Sequence, residues 1–233
     1  MSKPVCAIVG VGPGNGSALA RRFAAEGYAV ALLARSSAQG AALAQELQGA
    51  RAYACDVTDA ASVAGTFSSV RAELGEVAVL VYNAGSGVWG SVEQITAEDF
   101  EAAWRVNALG ALLVAQQVVP AMKAAGAGAI VFIGATASLR GMPMTAAFAP
   151  AKAAQRILAE SMARSLGPAG IHVALVILDG VVDNPKSRER MPDKPDEFFI
   201  KPYDVADSVL ALTRQPRSVW SFALEARPFG ERW

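Results

Sequence analysis

Near its start the chain runs VCAIVG (5–10), an apolar stretch closed by glycine. A strand buried on both faces reads this way, since neither face calls for a polar residue. The period then changes in GSALARRFAAEG (16–27), where Ala18, Leu19, Phe23 and Ala24 share one helical side and Arg21, Arg22 and Glu26 the other. Gly27 stands where helices commonly stop. The two patterns go on alternating, with strands predicted at 28–34, 51–55, 77–83, 128–134 and 171–178. Helices are predicted at 38–48, 60–74, 97–125 and 145–166, the third opened by Thr96 with Asp99 three residues on as an N-cap pair.

Repeated strand–helix units with short connections imply parallel strands, because each parallel crossover lays a helix on a sheet face. The pattern therefore predicts an α/β fold, a doubly wound parallel sheet of about seven strands with helices on both faces. Regularity fails over 180–202, a charged, proline-rich stretch, and long irregular loops of this kind are commonly lids. A helix at 204–213 and a last strand near VWSFALEA (219–226) follow. The expectation is one domain over 1–233, with 180–202 as a flexible substrate flap inside it.

Composition narrows the partners. The 21 basic and 21 acidic residues balance to a net charge of zero, which leaves no electrostatic footprint for nucleic acid or an anionic membrane. Cys6 and Cys55 are the only cysteines, too few for a disulfide framework and in keeping with a reducing compartment. The first residues carry no signal-peptide pattern, and the longest uncharged run, 124–139, falls short of the roughly 20 residues of a membrane helix. These features predict a cytoplasmic protein. His172, the only histidine, lies in a strand pattern and reads as structural; with no second histidine or acidic cluster, no metal site is expected.

The chemistry begins at GVGPGNG (10–16), between the first strand and the first helix. Glycines there permit a tight turn and let backbone N–H groups approach a pyrophosphate at a helix N-terminus, where the dipole favours anions. Gly10, Gly14 and Gly16, with Asn15 between the last two, fit a G-x-x-x-G-x-G spacing. At the end of the second strand, LLARSS offers no acid to bond ribose hydroxyls. Arg35 with Ser36 and Ser37 suits a 2′-phosphate instead, which predicts NADP(H) over NAD(H).

Taken with Asp56-Val57 after the third strand, YNAG (82–85) after the fourth and Asn107 in RVNALG, the glycine loop makes the chain resemble the short-chain dehydrogenase/reductase family from about residue 5 to 185. The resemblance implies a single Rossmann domain. It also implies cofactor contacts at Asp56, Val57, Asn83, Ala84 and Gly85, and a dimer or tetramer built on the helices at 97–125 and 145–166. In the family a Tyr exchanges the proton, a Lys four residues later supports it and holds the nicotinamide ribose, and a Ser thirteen residues before the Tyr bonds the substrate oxygen. Here FAPAK (148–152) supplies Lys152 but puts Phe148 at the Tyr position, and the Ser position is Ala135. Asn107 takes the place of the fourth member.

After the sixth strand the resemblance puts Asp179 at a Pro position, Val182 and Asn184 at carboxamide-holding positions. Thr136, Ser138, Thr145 and Ser86 are hydroxyls near the vacated proton-transfer positions. Trp89, Met142, Met144 and Phe148, with Met191, Phe198 and Phe199 from the flap, are expected to rim an apolar cleft. The function so implied is an NADP(H)-dependent oxidoreductase acting on an apolar carbonyl, quinone or activated C=C substrate with a non-standard proton source. The alternative is a catalytically silent NADP(H)-binding sensor or scaffold.

Overall fold

In the computed structural model, which describes residues 3–231, the predicted alternation is realised almost throughout. The elements run β1 (Val5–Val9), α1 (Asn15–Ala25), β2 (Ala29–Ala34), α2 (Ala38–Glu46), β3 (Ala50–Ala54), α3 (Ala60–Glu73), β4 (Val77–Tyr82), α4 (Ala97–Trp104) and α5 (Gly110–Ala125). They continue with β5 (Gly128–Ala135), α6 (Phe148–Leu166), β6 (Ile171–Leu178), β7 (Val181–Val182), α7 (Pro185–Arg190), β8 (Phe199–Ile200), α8 (Pro202–Thr213) and β9 (Ala223–Ala226).

Seven strands form one parallel sheet in the order β3-β2-β1-β4-β5-β6-β9, and β7 and β8 pair apart from it. The fold is an α/β single-domain Rossmann fold. One core cluster on one face takes Val114, Val118 and Met122 of α5 and Ala159 and Met162 of α6; a second, opposite, takes Leu19 and Phe23 of α1 and Val205 and Val209 of α8. The winding reverses between β1 and β4, and a crevice opens there beyond the carboxyl ends of the strands, where α/β sheets hold ligands.

The long helix is where the structure departs most from the periodicity. Ala97–Ala125 is continuous, and by length and composition alone it could cross a membrane, but its Val114, Val118 and Met122 are spent on the core. A π-helical turn, Arg105–Leu109, interrupts it. Side chains take the carbonyls here: Asn107 Nδ2 donates to Ala103 O at 2.8 Å, Tyr82 Oη to Val106 O at 2.6 Å and Gln155 Nε2 to Asn107 O at 3.0 Å. Side chains inserted into the ladder are a recognised cause of such turns, which favour functional sites.

The sixth helix also starts later than predicted, at Phe148 rather than Thr145. Thr145 Oγ1 is committed to a local turn, accepting from Met142 N at 2.8 Å and donating to Met142 O at 2.9 Å. Within 180–202 the backbone is less irregular than its composition implies. Asn184 and Ser187 form a capping box on α7, and Asp183 is held by Arg188 in a fork at 2.7 Å per bond and by Lys201 at 2.9 Å. Arg188 also bonds Asp196 at 2.6 Å and lies 4.1 Å over the Phe199 ring. Phe199 is buried by this packing, so it does not rim the cleft.

Candidate active site

The crevice is a cleft of about 500 Å³ lined by Gly10, Arg35, Asp56, Val57, Asn83, Ala84, Gly85 and Ser86, with parts of the neighbouring strand ends. Gly10 has φ +95°, and a Cβ built on it would lie 2.6 Å from Ala84 Cα. The first strand's turn and the YNAG loop touch so closely that only glycine fits. Asn83 ties the same two loops by donating Nδ2 to Gly10 O at 2.7 Å. A Cβ on Gly16 would fall 2.7 Å from Gly10 O, so the glycine loop curls tightly into the start of α1. Asn15 opens that helix, and its Oδ1 is buried without a hydrogen-bond partner among the described residues. Gly14, with φ +110°, packs on the start of 180–202: a Cβ built on it would lie 3.4 Å from Asn184 Cβ and 3.9 Å from Val182 Cγ1.

Arg35 and Asp56 stand at the exposed end of the cleft. Two bonds from Thr58, its N–H at 2.9 Å and its hydroxyl at 2.8 Å, hold the Asp56 carboxyl below its usual range, with a smaller pull from the Arg35 charge. Ser36 Oγ accepts from Ala38 N at 3.3 Å and helps turn the chain into α2. The loop backbone, the glycine cradle and the exposed Arg35 side chain together fit a dinucleotide, which when bound would supply or accept a hydride.

Deeper in, Lys152 is buried on α6. Its Nζ donates to Ile133 O at 3.0 Å and to Gln155 Oε1 at 3.1 Å. Burial pulls its pKa down to about 8, because the charged ammonium is the form that loses its water. Asn107, fully enclosed by the π-helical turn, donates Nδ2 to Ser86 O at 3.1 Å as well as to Ala103 O. Its Oδ1 has no hydrogen-bond partner among the described residues. That oxygen and the lysine amine both border Gly85: a Cβ built there would be 3.4 Å from Asn107 Oδ1 and 3.7 Å from Lys152 Nζ.

The other predicted hydroxyls are differently occupied. Thr136 Oγ1 donates to Asp179 Oδ1 at 2.6 Å, which gives Asp179 a task, clasping the ends of β5 and β6. Ser138 Oγ is enclosed and has no hydrogen-bond partner among the described residues. Thr145 is likewise buried in its turn, with no free hydroxyl for the cleft. Asn184 spends Oδ1 on Ser187 N and Nδ2 on Val182 O, so its amide braces the start of α7. Trp89, Met142 and Met144 are exposed, and the Trp89 ring packs on Phe148. His172 sits far from the cleft, between Leu212 O and Ser221 O and stacked on Trp220. Among the described residues no group of His, Cys, Asp or Glu could hold a metal ion. Gln155 and Tyr82 are the site residues that sequence reasoning missed. Gln155 left a trace: it is the amide in an otherwise apolar run, Ala159, Met162 and Leu166, along the buried side of α6.

The model of the short chain dehydrogenase family matches residues 4–194. The chain belongs to that family of oxidoreductases. It is 35% identical over 181 residues to the 3-oxoacyl-[acyl-carrier-protein] reductase MabA of Mycobacterium bovis, covering 78% of this chain and 70% of that protein. It is 31% identical over 209 residues to an inactive 2-(S)-hydroxypropyl-CoM dehydrogenase 2 of Xanthobacter autotrophicus, covering 83% and 90%. Among solved structures, the alcohol dehydrogenase of the archaeon Thermococcus sibiricus, complexed with 5-hydroxy-NADP, superposes with a TM-score of 0.89 at 28% identity over 99% of both chains.

Proposed function

We propose that the chain is an NADP(H)-dependent oxidoreductase acting on an apolar carbonyl, quinone or activated C=C substrate, with Lys152 as the proton source in place of the missing Tyr. The observation that carries this reading is that the buried Lys152 amine and an Asn107 Oδ1 with no partner among the described residues both border Gly85. An amine pulled to about pH 8 stays largely protonated at neutral pH yet releases a proton readily, as a general acid must. Asn107 Oδ1 is an acceptor that a water can bond, and such a water would pass the lysine proton towards the cleft. Thr136, with its own proton given to Asp179, and the enclosed Ser138 are secondary candidates.

Arg35 would take the 2′-phosphate, and Gly10, Gly14, Asn15, Gly16, Ser36, Asp56, Val57, Asn83, Ala84, Gly85, Val182 and Asn184 would frame the rest of the cofactor. Trp89, Met142 and Met144 would receive an apolar substrate under the flap 180–202. Exposed Phe100, Trp104, Leu112 and Ile157 on α4, α5 and α6 suit a homodimer or homotetramer in a cytoplasmic setting. The test is calorimetry with NADPH and NADH, followed by turnover of a panel of ketones, quinones and enones by wild type and Lys152→Met. Preference for NADPH and loss of turnover in the variant are expected; absence of NADPH binding would overturn the reading.

A second reading, a silent NADP(H)-binding sensor or scaffold, is favoured by one observation. Both Phe148 and Ala135 lack any group able to move a proton, while the cofactor cleft is intact. It predicts NADPH binding with no turnover across the same panel.

A further inference from the structure

Gln155 is completely buried on α6, three residues beyond Lys152. A buried amide is costly unless both its ends are bonded. Here both are: Nε2 donates to Asn107 O at 3.0 Å, and Oε1 accepts from Lys152 Nζ at 3.1 Å. The bond to Asn107 fixes which way round the amide sits. Turned over, it would set its own N–H groups against the ammonium and its oxygen against a carbonyl. The lysine gives a second N–H to Ile133 O at 3.0 Å. With two of its three N–H groups so held, the third is left for the Gly85 side, where the cleft lies.

We propose that Gln155 is the positioning residue of this site: its amide holds the Lys152 ammonium in its protonated, cleft-facing state and couples it to the Asn107 turn. The catalytic meaning of this rests on Lys152 being the proton source; the effect of the amide on the lysine does not. The groups facing the amine are Ile133 O from β5, Gln155 from α6, Asn107 from the π-helical turn and Gly85 after β4, all uncharged. Burial favours the neutral amine, and the acceptor oxygens oppose it. Ile133 O is backbone, so Gln155 is the side chain that accepts a hydrogen bond from the amine and through which the balance can be tuned.

Two substitutions push the balance in opposite directions. Gln155→Met keeps the length and fills the space but removes the acceptor, so burial acts with less opposition. Gln155→Glu replaces a dipole by a negative charge and favours the ammonium. A role confined to packing gives no such opposition of sign.

The experiment is NMR titration of the cofactor-free protein labelled with ¹³C-lysine, with Lys152 assigned by its loss in Lys152→Met. Wild-type Lys152 should titrate near pH 8. Its midpoint should fall by about one pH unit in Gln155→Met and rise by about as much in Gln155→Glu, a tenfold change in acid strength each way. In the wild type the Gln155 side-chain amide resonance should titrate with the lysine midpoint. Equal midpoints in all three proteins, or shifts of the same sign in both variants, would overturn the proposal. If neither variant folds, an amide resonance that stays still across the lysine titration overturns it. Calorimetry with NADPH on the same samples separates the readings. Unmoved midpoints with NADPH bound sink only the role of Gln155, and shifted midpoints without NADPH binding sink only the NADP(H) assignment.

Discussion

Phe148 packs its ring on Trp89, with centroids 5.2 Å apart and planes inclined at 33°. The position that the sequence resemblance gives to the family's acid thus carries a hydrocarbon face whose neighbour is itself aromatic and largely open to solvent. Phe148 stands one helical turn before Lys152 on α6, so a hydroxyl added to its ring would restore the spacing of the family's Tyr and Lys. Phe148→Tyr with Ala135→Ser should therefore gain carbonyl reduction with NADPH by about 10²-fold or more, the usual contribution of a positioned acid and donor. Initial rates on a ketone panel measure it, and unchanged rates would mean that the substrate pocket rejects ketones.

Gly10 and Gly12 make a matched pair of probes for the glycine loop. Gly10→Ala places a methyl against Ala84 at positive φ, whereas nothing lies within 4 Å of a Cβ on Gly12. Gly10→Ala should lower stability by about 2–4 kcal/mol and abolish cofactor binding. Gly12→Ala should change melting temperature by a degree or two at most. Calorimetric scans with and without NADPH separate the two.

Arg35 lines the cleft and is exposed. Its replacement by alanine should weaken NADPH by about 10- to 100-fold, the worth of a charge-assisted bidentate contact, and leave NADH unchanged. Parallel titrations with the two cofactors give the ratio directly. Equal losses for both would place Arg35 away from the 2′-phosphate.

Lys152 also gives stability a pH signature. Its folded pKa of about 8 lies below its unfolded value of 10.5, so between those values the unfolded chain binds more protons. Stability attributable to this residue must then rise with pH through the window, by about 3 kcal/mol in total. Cys6 and Tyr82, whose burial raises their pKa values, pull the other way at high pH. The difference between wild type and Lys152→Met isolates the lysine. Denaturant melts at pH 7.5 and 10.5 should show the wild type gaining on the variant, and a constant gap would contradict the burial of a charge.

Asp183 is held far below its ordinary pKa, first by the hydrogen bond from Arg188 and then by Lys201. Its contribution is present above the normal carboxylate range and disappears as the pH falls through its lowered value. Asp183→Asn should cost about 1 kcal/mol, given the partial exposure of these charges, and should speed amide exchange across 185–198. Hydrogen exchange by mass spectrometry reads both the size and the place of the effect.

Most of the architecture was legible because parallel strands buried on both faces leave unbroken apolar runs, as in VCAIVG and IHVALVIL. The glycine loop was legible because backbone geometry demands glycine there. Three features were not. The π-helical turn has no periodic signature, since it arises from Tyr82, Asn107 and Gln155 reaching carbonyls from separate parts of the chain. The order in 180–202 comes from charge pairs such as Asp183–Arg188, and in the sequence these look like any polar loop. Gln155 was overlooked because one amide in an alanine-rich helix reads as a surface residue until the helix is placed against β5.

The reversal of strand order between β1 and β4 also divides the molecule into two sets of obligations. In the proposed reading the adenine half of the cofactor would answer to β1, β2 and β3, while Asn107 and Lys152 come from the long helix and α6. Gly10 touches Ala84 and Asn83 where the two adjoin, and Val57 after β3 packs against Gly110 of α5. A phenylalanine in place of a tyrosine on α6 would therefore leave the glycine loop undisturbed, and in the proposed reading the coenzyme would be kept while the reaction changed. Such a division lets the proton-handling residues be rewritten, or erased, one side chain at a time.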